Sequence, residues 1–141
     1  MHGVNLDQLG ERNPLIYGSF TLADLEKTIA GYADELGMDV SFFQTNHEGE
    51  LVEHIHGLRG EADAAILNSG AWTHYAWALR DAVEVSEVPT VEVHISDISK
   101  REDWRKVSVF EGLAIGQIYG KAEQGYKEAL ELIADHLDGG P

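Results

Sequence analysis

The segment from Ala64 to His74 constrains the fold of this chain more than any other. An apolar run of strand length, Ala64 to Leu67, ends at Asn68-Ser69-Gly70, and helical spacing begins at Trp72. In alternating α/β proteins, such turns lie at the carboxyl edge of a parallel sheet, where ligands bind. The amide, hydroxyl and imidazole in this turn fit a small polar ligand. A helix cap with an exposed histidine is the alternative, and the segment alone fits both.

The rest of the chain alternates helices and strands. Hydrophobic periodicity predicts helices over 21–37, 51–58, 72–85 and 122–137, and strands over 38–45, 64–67, 90–96 and 114–119. Thr21 and Asp24 fit an acidic variant of the capping box at the first helix. Arg12 and Tyr17 lie between two glycines, in what is either a moving lid or an ordinary surface loop. We predict a single α/β domain over residues 1–141, with a frayed tail at 138–141.

The charge of the chain limits its partners. It carries 25 acidic and 10 basic residues, a net charge of −15, which argues against binding the phosphate backbone of nucleic acids. The same acidity is typical of adaptation to high salt. There is no cysteine and no apolar run of transmembrane length, so we expect a soluble cytoplasmic protein without thiolate chemistry or a membrane partner. Lys100, Arg101 and Arg105 form a basic cluster, which indicates an anionic ligand or local salt bridges.

The predicted strand 90–96 alternates cleanly between two faces. Three apolar residues share one face and three polar residues share the other: Val91, Val93 and Ile95 against Glu92, His94 and Ser96. Glu92 and His94 are therefore about 7 Å apart along one face, where a carboxylate orients an imidazole and stabilises its protonated form. A purely structural pair is the alternative. The position of this pair at the carboxyl end of a central strand favours a catalytic role over a structural one.

Four motifs in this order resemble type II 3-dehydroquinate dehydratase. They are Asn5-Leu6 through Tyr17-Gly18, Asn46-His47-Glu48-Gly49-Glu50-Leu51, Asn68-x-Gly70-Ala71-x-Thr73-His74, and Glu92-Val93-His94-Ile95-Ser96, and the resemblance extends from Gly3 to Leu137. The resemblance implies a three-layer flavodoxin-like parallel sheet of order 2-1-3-4-5. It also implies that residues 1–20 form an active-site loop or lid. The implied assembly is a dodecamer built from four trimers, and no metal or organic cofactor is implied.

The resemblance also implies a reaction and residue roles. The family eliminates water in the anti sense from 3-dehydroquinate to give 3-dehydroshikimate in the shikimate pathway. Tyr17, supported by Arg12, would be the base that removes a proton alpha to the ketone. His94, oriented by Glu92, would be the general acid, and Asn5 would hold a water against the enolate oxygen. Substrate contacts are implied for Asn68, His74, Asp81, Ile95, Ser96 and Arg105, with Asp81 reaching the site of a neighbouring subunit.

The alternative is a catalytically inactive homologue that serves as an oligomeric binding or scaffolding protein. The joint presence of the residues implied in the chemistry argues against it. Asp97 replaces a frequent asparagine of the family, and a negative charge beside the carboxylate site is expected to weaken substrate binding.

The start of the sequence also departs from the family pattern, in which a hydrophobic strand precedes the turn at Asn5. Here the first strand is missing. We expect its loss to leave two facing strand edges unpaired and Asn5 without the strand that positions it. We also expect the natural chain to begin several apolar residues upstream.

Overall fold

The computed structural model describes residues 1–139 and places eight regular elements within them. In chain order these are α1 Pro14–Tyr17, α2 Leu22–Glu35, α3 Glu48–His56, β1 Ala65–Leu67, α4 Trp77–Ser86, β2 Thr90–His94, β3 Gly116–Tyr119 and α5 Gln124–Asp138. Short 3-10 turns occupy Leu6–Gln8, Gly70–His74, Ile98–Lys100 and Asp103–Lys106. Asp138, where the frayed tail was predicted to begin, is the last residue of α5. Gly140 and Pro141 lie outside the described residues.

The three strands form a parallel sheet in the order β1-β2-β3. Helices α2 and α5 pack on one face, where Val91 and Val93 are fully buried. Helices α3 and α4 pack on the other face around Leu67 and Phe110. The result is the predicted three-layer arrangement. Across residues 1–139, no helix has the length and apolar character needed to cross a membrane.

Helix α2 begins and ends as its sequence predicts. The Thr21 hydroxyl accepts a hydrogen bond from the Asp24 N–H, and the Asp24 carboxylate accepts one from the Thr21 N–H, both at 3.1 Å. The predicted capping box is therefore confirmed. Leu25 and Ile29 are buried against the sheet, and Gly37, at a φ of 69°, terminates the helix in a left-handed conformation.

Several predicted elements differ in part from the structure. No ladder forms over 38–45, where a single parallel bridge joins Gln44 to His2, because a strand needs a paired neighbour along its length. The helix predicted from Trp72 begins at Trp77, after a 3-10 turn. Tyr75, which lies just after this turn and before the helix, is 60% exposed. Strands β2 and β3 are also shorter than predicted, ending at His94 and beginning at Gly116.

Residues 1–3 run between the two segments that the missing strand was expected to separate. His2 forms parallel bridges to both Gln44 and Asn68. Its N–H donates to the Phe43 carbonyl at 2.8 Å, and the next N–H along the chain donates to the Asn68 carbonyl at 2.7 Å. The Asn5 N–H donates to the side-chain oxygen of Asn46 at 2.8 Å. Asn5 is therefore held by the side chain of a neighbouring segment, although the residues before it form isolated bridges and no strand.

The His2 imidazole is buried at 1% exposure. Burial, together with the nearby α-amino group of Met1, lowers the pKa of His2 to about 3. The ring is therefore neutral at physiological pH, and its 3.3 Å approach to the Glu26 carboxylate is not an ion pair.

Candidate active site

A pocket of about 80 Å³ lies at the carboxyl edge of the sheet, where the turn after β1 predicts a ligand site. It is lined by nine of the residues singled out from the sequence: Asn5, Arg12, Tyr17, Asn68, His74, His94, Ile95, Ser96 and Arg105. Glu92 lies behind His94, hydrogen-bonded to it. Asp81 is exposed on α4 and does not line this pocket. Within residues 1–139, no three histidines or carboxylates are grouped as metal ligands.

The Glu92–His94 pair forms as the strand alternation predicts. The His94 Nε2 donates to the Glu92 Oε2 at 2.6 Å, and both side chains are at least 94% buried. Burial alone raises the pKa of Glu92, but the hydrogen bonds from His94, Gln117 and Ser108 outweigh it and hold that pKa below its ordinary value. The carboxylate therefore stays ionised and fixes the orientation of the His94 ring. Because Nε2 faces Glu92, Nδ1 is the ring nitrogen left for a ligand.

Two further side chains fix the Glu92 carboxylate. The Ser108 hydroxyl lies 2.7 and 2.9 Å from its two oxygens, and the Gln117 amide donates to Oε1 at 2.7 Å. Neither residue was found from the sequence, because a single serine in an irregular segment and a glutamine in β3 carry no motif. Each is a donor aimed at a buried carboxylate, so together they set both its charge and its orientation.

The Tyr17 hydroxyl oxygen lies between two guanidinium groups. Arg12 donates to it at 2.8 Å and Arg101 at 2.7 Å. The Arg12 guanidinium also stacks 3.7 Å from the centre of the Tyr17 ring. The hydroxyl oxygen therefore accepts two charge-assisted hydrogen bonds, and negative charge that develops on it lies between two cations. The contact from Arg12 was predicted, whereas the direct contact from Arg101 was not.

Asn68 and His74 occupy the turn that ends β1. The side-chain oxygen of Asn68 accepts from the Gly70 N–H at 3.1 Å, which leaves its NH₂ group for the pocket. The His74 Nδ1 donates to the Val107 carbonyl at 2.7 Å. Burial lowers the pKa of His74, although this hydrogen bond opposes the shift, so Nε2 is an acceptor at neutral pH.

The other end of the pocket is suited to an anion. The N–H groups of Ile95 and Ser96 follow β2 directly and have no hydrogen-bond partner among residues 1–139. Three of the five arginines of this acidic chain, Arg12, Arg101 and Arg105, line the same cavity. Free N–H groups beside guanidinium groups bind carboxylate oxygens well.

Asp97 does not place its charge in this pocket. Its carboxylate accepts from the Ser99 N–H at 3.0 Å and approaches Lys100 at 3.8 Å, and it is not among the lining residues. The Ser99 hydroxyl contributes most to lowering the pKa of Asp97. The charge that was expected to weaken substrate binding is thus engaged elsewhere.

Comparisons with known proteins agree with this geometry. The model of the family "Dehydroquinase class II" matches residues 1–134. The 3-dehydroquinate dehydratase of Pelotomaculum thermopropionicum is 48% identical over 95% of this chain and 93% of its own length. A catabolic 3-dehydroquinase of Emericella nidulans is 46% identical over 95% of this chain and 88% of its own.

A solved structure gives the same result for the fold. The type II dehydroquinase from Propionibacterium acnes superposes with a TM-score of 0.91 at 38% identity, covering 96% of this chain and 93% of that one. This likeness confirms the flavodoxin-like fold class. On both the family model and the fold, the chain belongs to the class II dehydroquinase family.

Proposed function

We propose that this protein is a lyase that eliminates water in the anti sense from 3-dehydroquinate to give 3-dehydroshikimate, a step of the shikimate pathway. The observation that carries the proposal is that a base and an acid of suitable type line one small pocket. The base is Tyr17 between its two arginines, and the acid is His94 on Glu92. Relatives that are 43–48% identical bear the name of this activity.

In the first step, the Tyr17 phenolate removes a proton from the carbon alpha to the ketone. Arg12 and Arg101 hold the phenolate before the reaction, at 2.8 and 2.7 Å. The electron pair of the C–H bond moves to the ketone oxygen and forms an enolate. Asn5, which lines the pocket, holds a water that hydrogen-bonds this oxygen and so stabilises charge formed in the transition state.

In the second step, the enolate re-forms the ketone and the C–O bond of the leaving hydroxyl breaks. His94 gives its Nδ1 proton to that hydroxyl, which departs as water. Glu92 stabilises the imidazolium from 2.6 Å before the transfer and keeps the ring in one orientation. The two reaction steps need no other reactant, since Tyr17 takes one proton and His94 gives one.

The remaining lining residues bind and orient the substrate. The Ile95 and Ser96 N–H groups receive its carboxylate, and Asn68, His74 and Arg105 bind its ring hydroxyls. No metal or organic cofactor takes part in this scheme.

The proposed assembly is a dodecamer of four trimers. In it, Asp81, exposed on α4 and away from the pocket of its own subunit, reaches the site of a neighbour.

The test is to mix the protein with 3-dehydroquinate and follow the ultraviolet absorbance of the conjugated enone acid that forms. The wild type should produce this chromophore, and Tyr17→Phe should slow it by about 10²- to 10⁴-fold, the usual contribution of a general base. Tyr32→Phe is the matched control, since Tyr32 lies on α2 outside the pocket. No chromophore from a folded wild-type protein would favour the scaffolding alternative.

A further inference from the structure

The motif Asn46-His47-Glu48-Gly49-Glu50 has no role in the reaction proposed above, and none of these described residues lines the pocket. The motif leads into α3 and contacts the pocket wall through one hydrogen bond. The side-chain oxygen of Asn46 accepts from the Asn5 N–H at 2.8 Å, across 41 positions of the chain. The motif therefore reaches the proposed chemistry through Asn5.

Asn5 has a rare backbone conformation for a residue with a side chain. Its φ of 67° and ψ of 2° are left-handed, a region that asparagine tolerates better than most residues other than glycine. The Asn5 carbonyl accepts from the Gln8 N–H at 3.0 Å, so both backbone hydrogen-bonding groups of Asn5 are engaged. The side-chain amide of Asn5 has no hydrogen-bond partner among residues 1–139. The backbone is therefore held, while the side chain is left for a ligand in the pocket.

The surroundings of the Asn46 side chain fix its orientation. Its oxygen also accepts from the Gln44 Nε2 at 3.2 Å, and its NH₂ group donates to the Asp7 carboxylate at 3.3 Å. A flipped amide would turn the NH₂ group toward two donors and the oxygen toward a carboxylate. The hydrogen-bonding pattern therefore keeps the Asn46 oxygen on the Asn5 N–H.

The rest of the motif fixes the backbone that carries Asn46. The Thr45 hydroxyl donates to the Glu50 carboxylate at 2.6 Å and accepts from the His47 N–H at 3.0 Å. Thr45 is buried, and Glu50 lies in the first turn of α3. Because one hydroxyl joins residues before and after Asn46, this turn is tied to the start of the helix.

We propose that Asn46 is a positioning residue for the proposed dehydration. It holds Asn5 in the left-handed conformation from which the Asn5 side chain directs a water to the enolate oxygen. This role rests on the proposed function, and Asn46 itself does not touch the substrate. Negative charge develops on the enolate oxygen only as the reaction proceeds, so a misplaced Asn5 should lower kcat and leave KM nearly unchanged.

The test is steady-state kinetics of Asn46→Ala, Asn5→Gly and the double variant. Asn46→Ala should lower kcat by about ten-fold, the effect of one lost hydrogen bond, with little change in KM. Asn5→Gly removes the side chain and keeps the left-handed backbone accessible. In that background Asn46→Ala should have no further effect, because Asn46 acts through the Asn5 side chain. His47→Ala is the matched control, since His47 is exposed in the same motif and its side chain has no hydrogen-bond partner in the described chain.

An exchange of the two polar partners checks the geometry. Asn46→Asp keeps an acceptor for the Asn5 N–H but faces the Asp7 carboxylate, so this variant should also lose activity. Asn46→Asp/Asp7→Asn restores a donor opposite a carboxylate and should recover most of the kcat. In the absence of substrate, amide hydrogen exchange at Asn5 should be about ten-fold or more faster in Asn46→Ala than in the wild type.

Three results would overturn the proposed role of Asn46. The first is equal exchange at Asn5 in the wild type and Asn46→Ala, and the second is an unchanged kcat in Asn46→Ala. The third is an equal fall in kcat with and without the Asn5 side chain, which would limit Asn46 to stability. Any of these with an active wild type refutes this role alone, whereas a folded wild type without turnover refutes the proposed reaction as well.

Discussion

The Arg101 guanidinium donates a 2.7 Å hydrogen bond to the Tyr17 hydroxyl across 84 positions of the chain. Arg12 donates to the same oxygen from only five positions away, at 2.8 Å. Arg101 follows the carboxyl end of β2 and Tyr17 ends α1, so this contact closes the loop carrying Tyr17 onto the sheet edge. The two arginines therefore share one task, which makes their energetic contributions dependent on each other.

We predict that Arg12→Ala and Arg101→Ala each lower kcat by about 10- to 150-fold, the equivalent of a 1.5–3 kcal/mol hydrogen bond to a charged group. The double variant should deviate from the product of the two effects, because both donors act on one oxygen. Steady-state kinetics of the four proteins measures this coupling. Arg59→Ala, which removes an exposed ion pair to Glu87, should leave kcat unchanged. Strict additivity would mean that the arginines act independently.

Ser108→Ala tests the support of the Glu92 carboxylate. The variant removes a donor that lowers the pKa of Glu92, so that pKa rises. A carboxylate whose pKa is lowered by folding stabilises the native state at pH values above its unfolded pKa. That stabilisation is lost as the pH falls through its folded pKa. The acid limb of kcat should therefore move to higher pH, and kcat should fall by about ten-fold. Ser41→Ala, at an exposed serine, is the control. An unmoved acid limb would limit Ser108 to packing.

Asp81→Asn should lower activity although Asp81 does not line the pocket of its own subunit. The neighbour's site is the one affected in the proposed assembly. Hybrid oligomers of Asp81→Asn and Tyr17→Phe subunits should therefore recover turnover. In such a hybrid, the Asp81→Asn subunit has an intact Tyr17 in its own site. A neighbouring Tyr17→Phe subunit can supply the intact Asp81 to that site. Activity no higher than that of the two separate variants would place Asp81 outside catalysis.

Stability should fall as the pH is lowered, because His2 is buried in its neutral form. Its pKa is about 3 in the folded protein against 6.5 ordinarily, so the unfolded chain binds the extra proton first. From pH 7 to 5 this group should cost about 2 kcal/mol of the free energy of unfolding. His2→Gln should remove that part of the slope in denaturant titrations at each pH. The exposed His56→Gln should not, and an identical slope in both variants would contradict the assignment.

The parts of the fold that could be predicted from the sequence are those set by local pattern. The capping box at Thr21 and the buried alternation of Val91 and Val93 follow from the sequence over a few residues. The Glu92–His94 contact follows from the same alternation. Helix α4 shows the limit, since the Trp72 spacing fits a helix while hydrogen bonding in the turn delays its start to Trp77.

The parts of the site that could not be predicted depend on contacts between distant segments. Ser108 meets Glu92 across 16 positions and Gln117 meets it across 25, through packing that no periodicity encodes. The segment 38–45 has the composition of a strand, but strand formation also requires a neighbour with free hydrogen-bonding groups in register. The orientation of Asp97 depends on Ser99, which the spacing of charges does not reveal.

The alternation of β2 has a consequence for how this enzyme family can change. Val91 and Val93 are fully buried against α5, while Glu92 and His94 lie on the opposite face of the same five residues, where His94 lines the pocket. Substitutions of Val91 and Val93 should therefore change mainly the melting temperature, and substitutions of Glu92 and His94 should change mainly the turnover rate. Laboratory evolution could then alter the chemistry and the thermal tolerance of this strand as nearly separate traits, provided that no insertion shifts its register, because a shift by one residue would exchange the two faces.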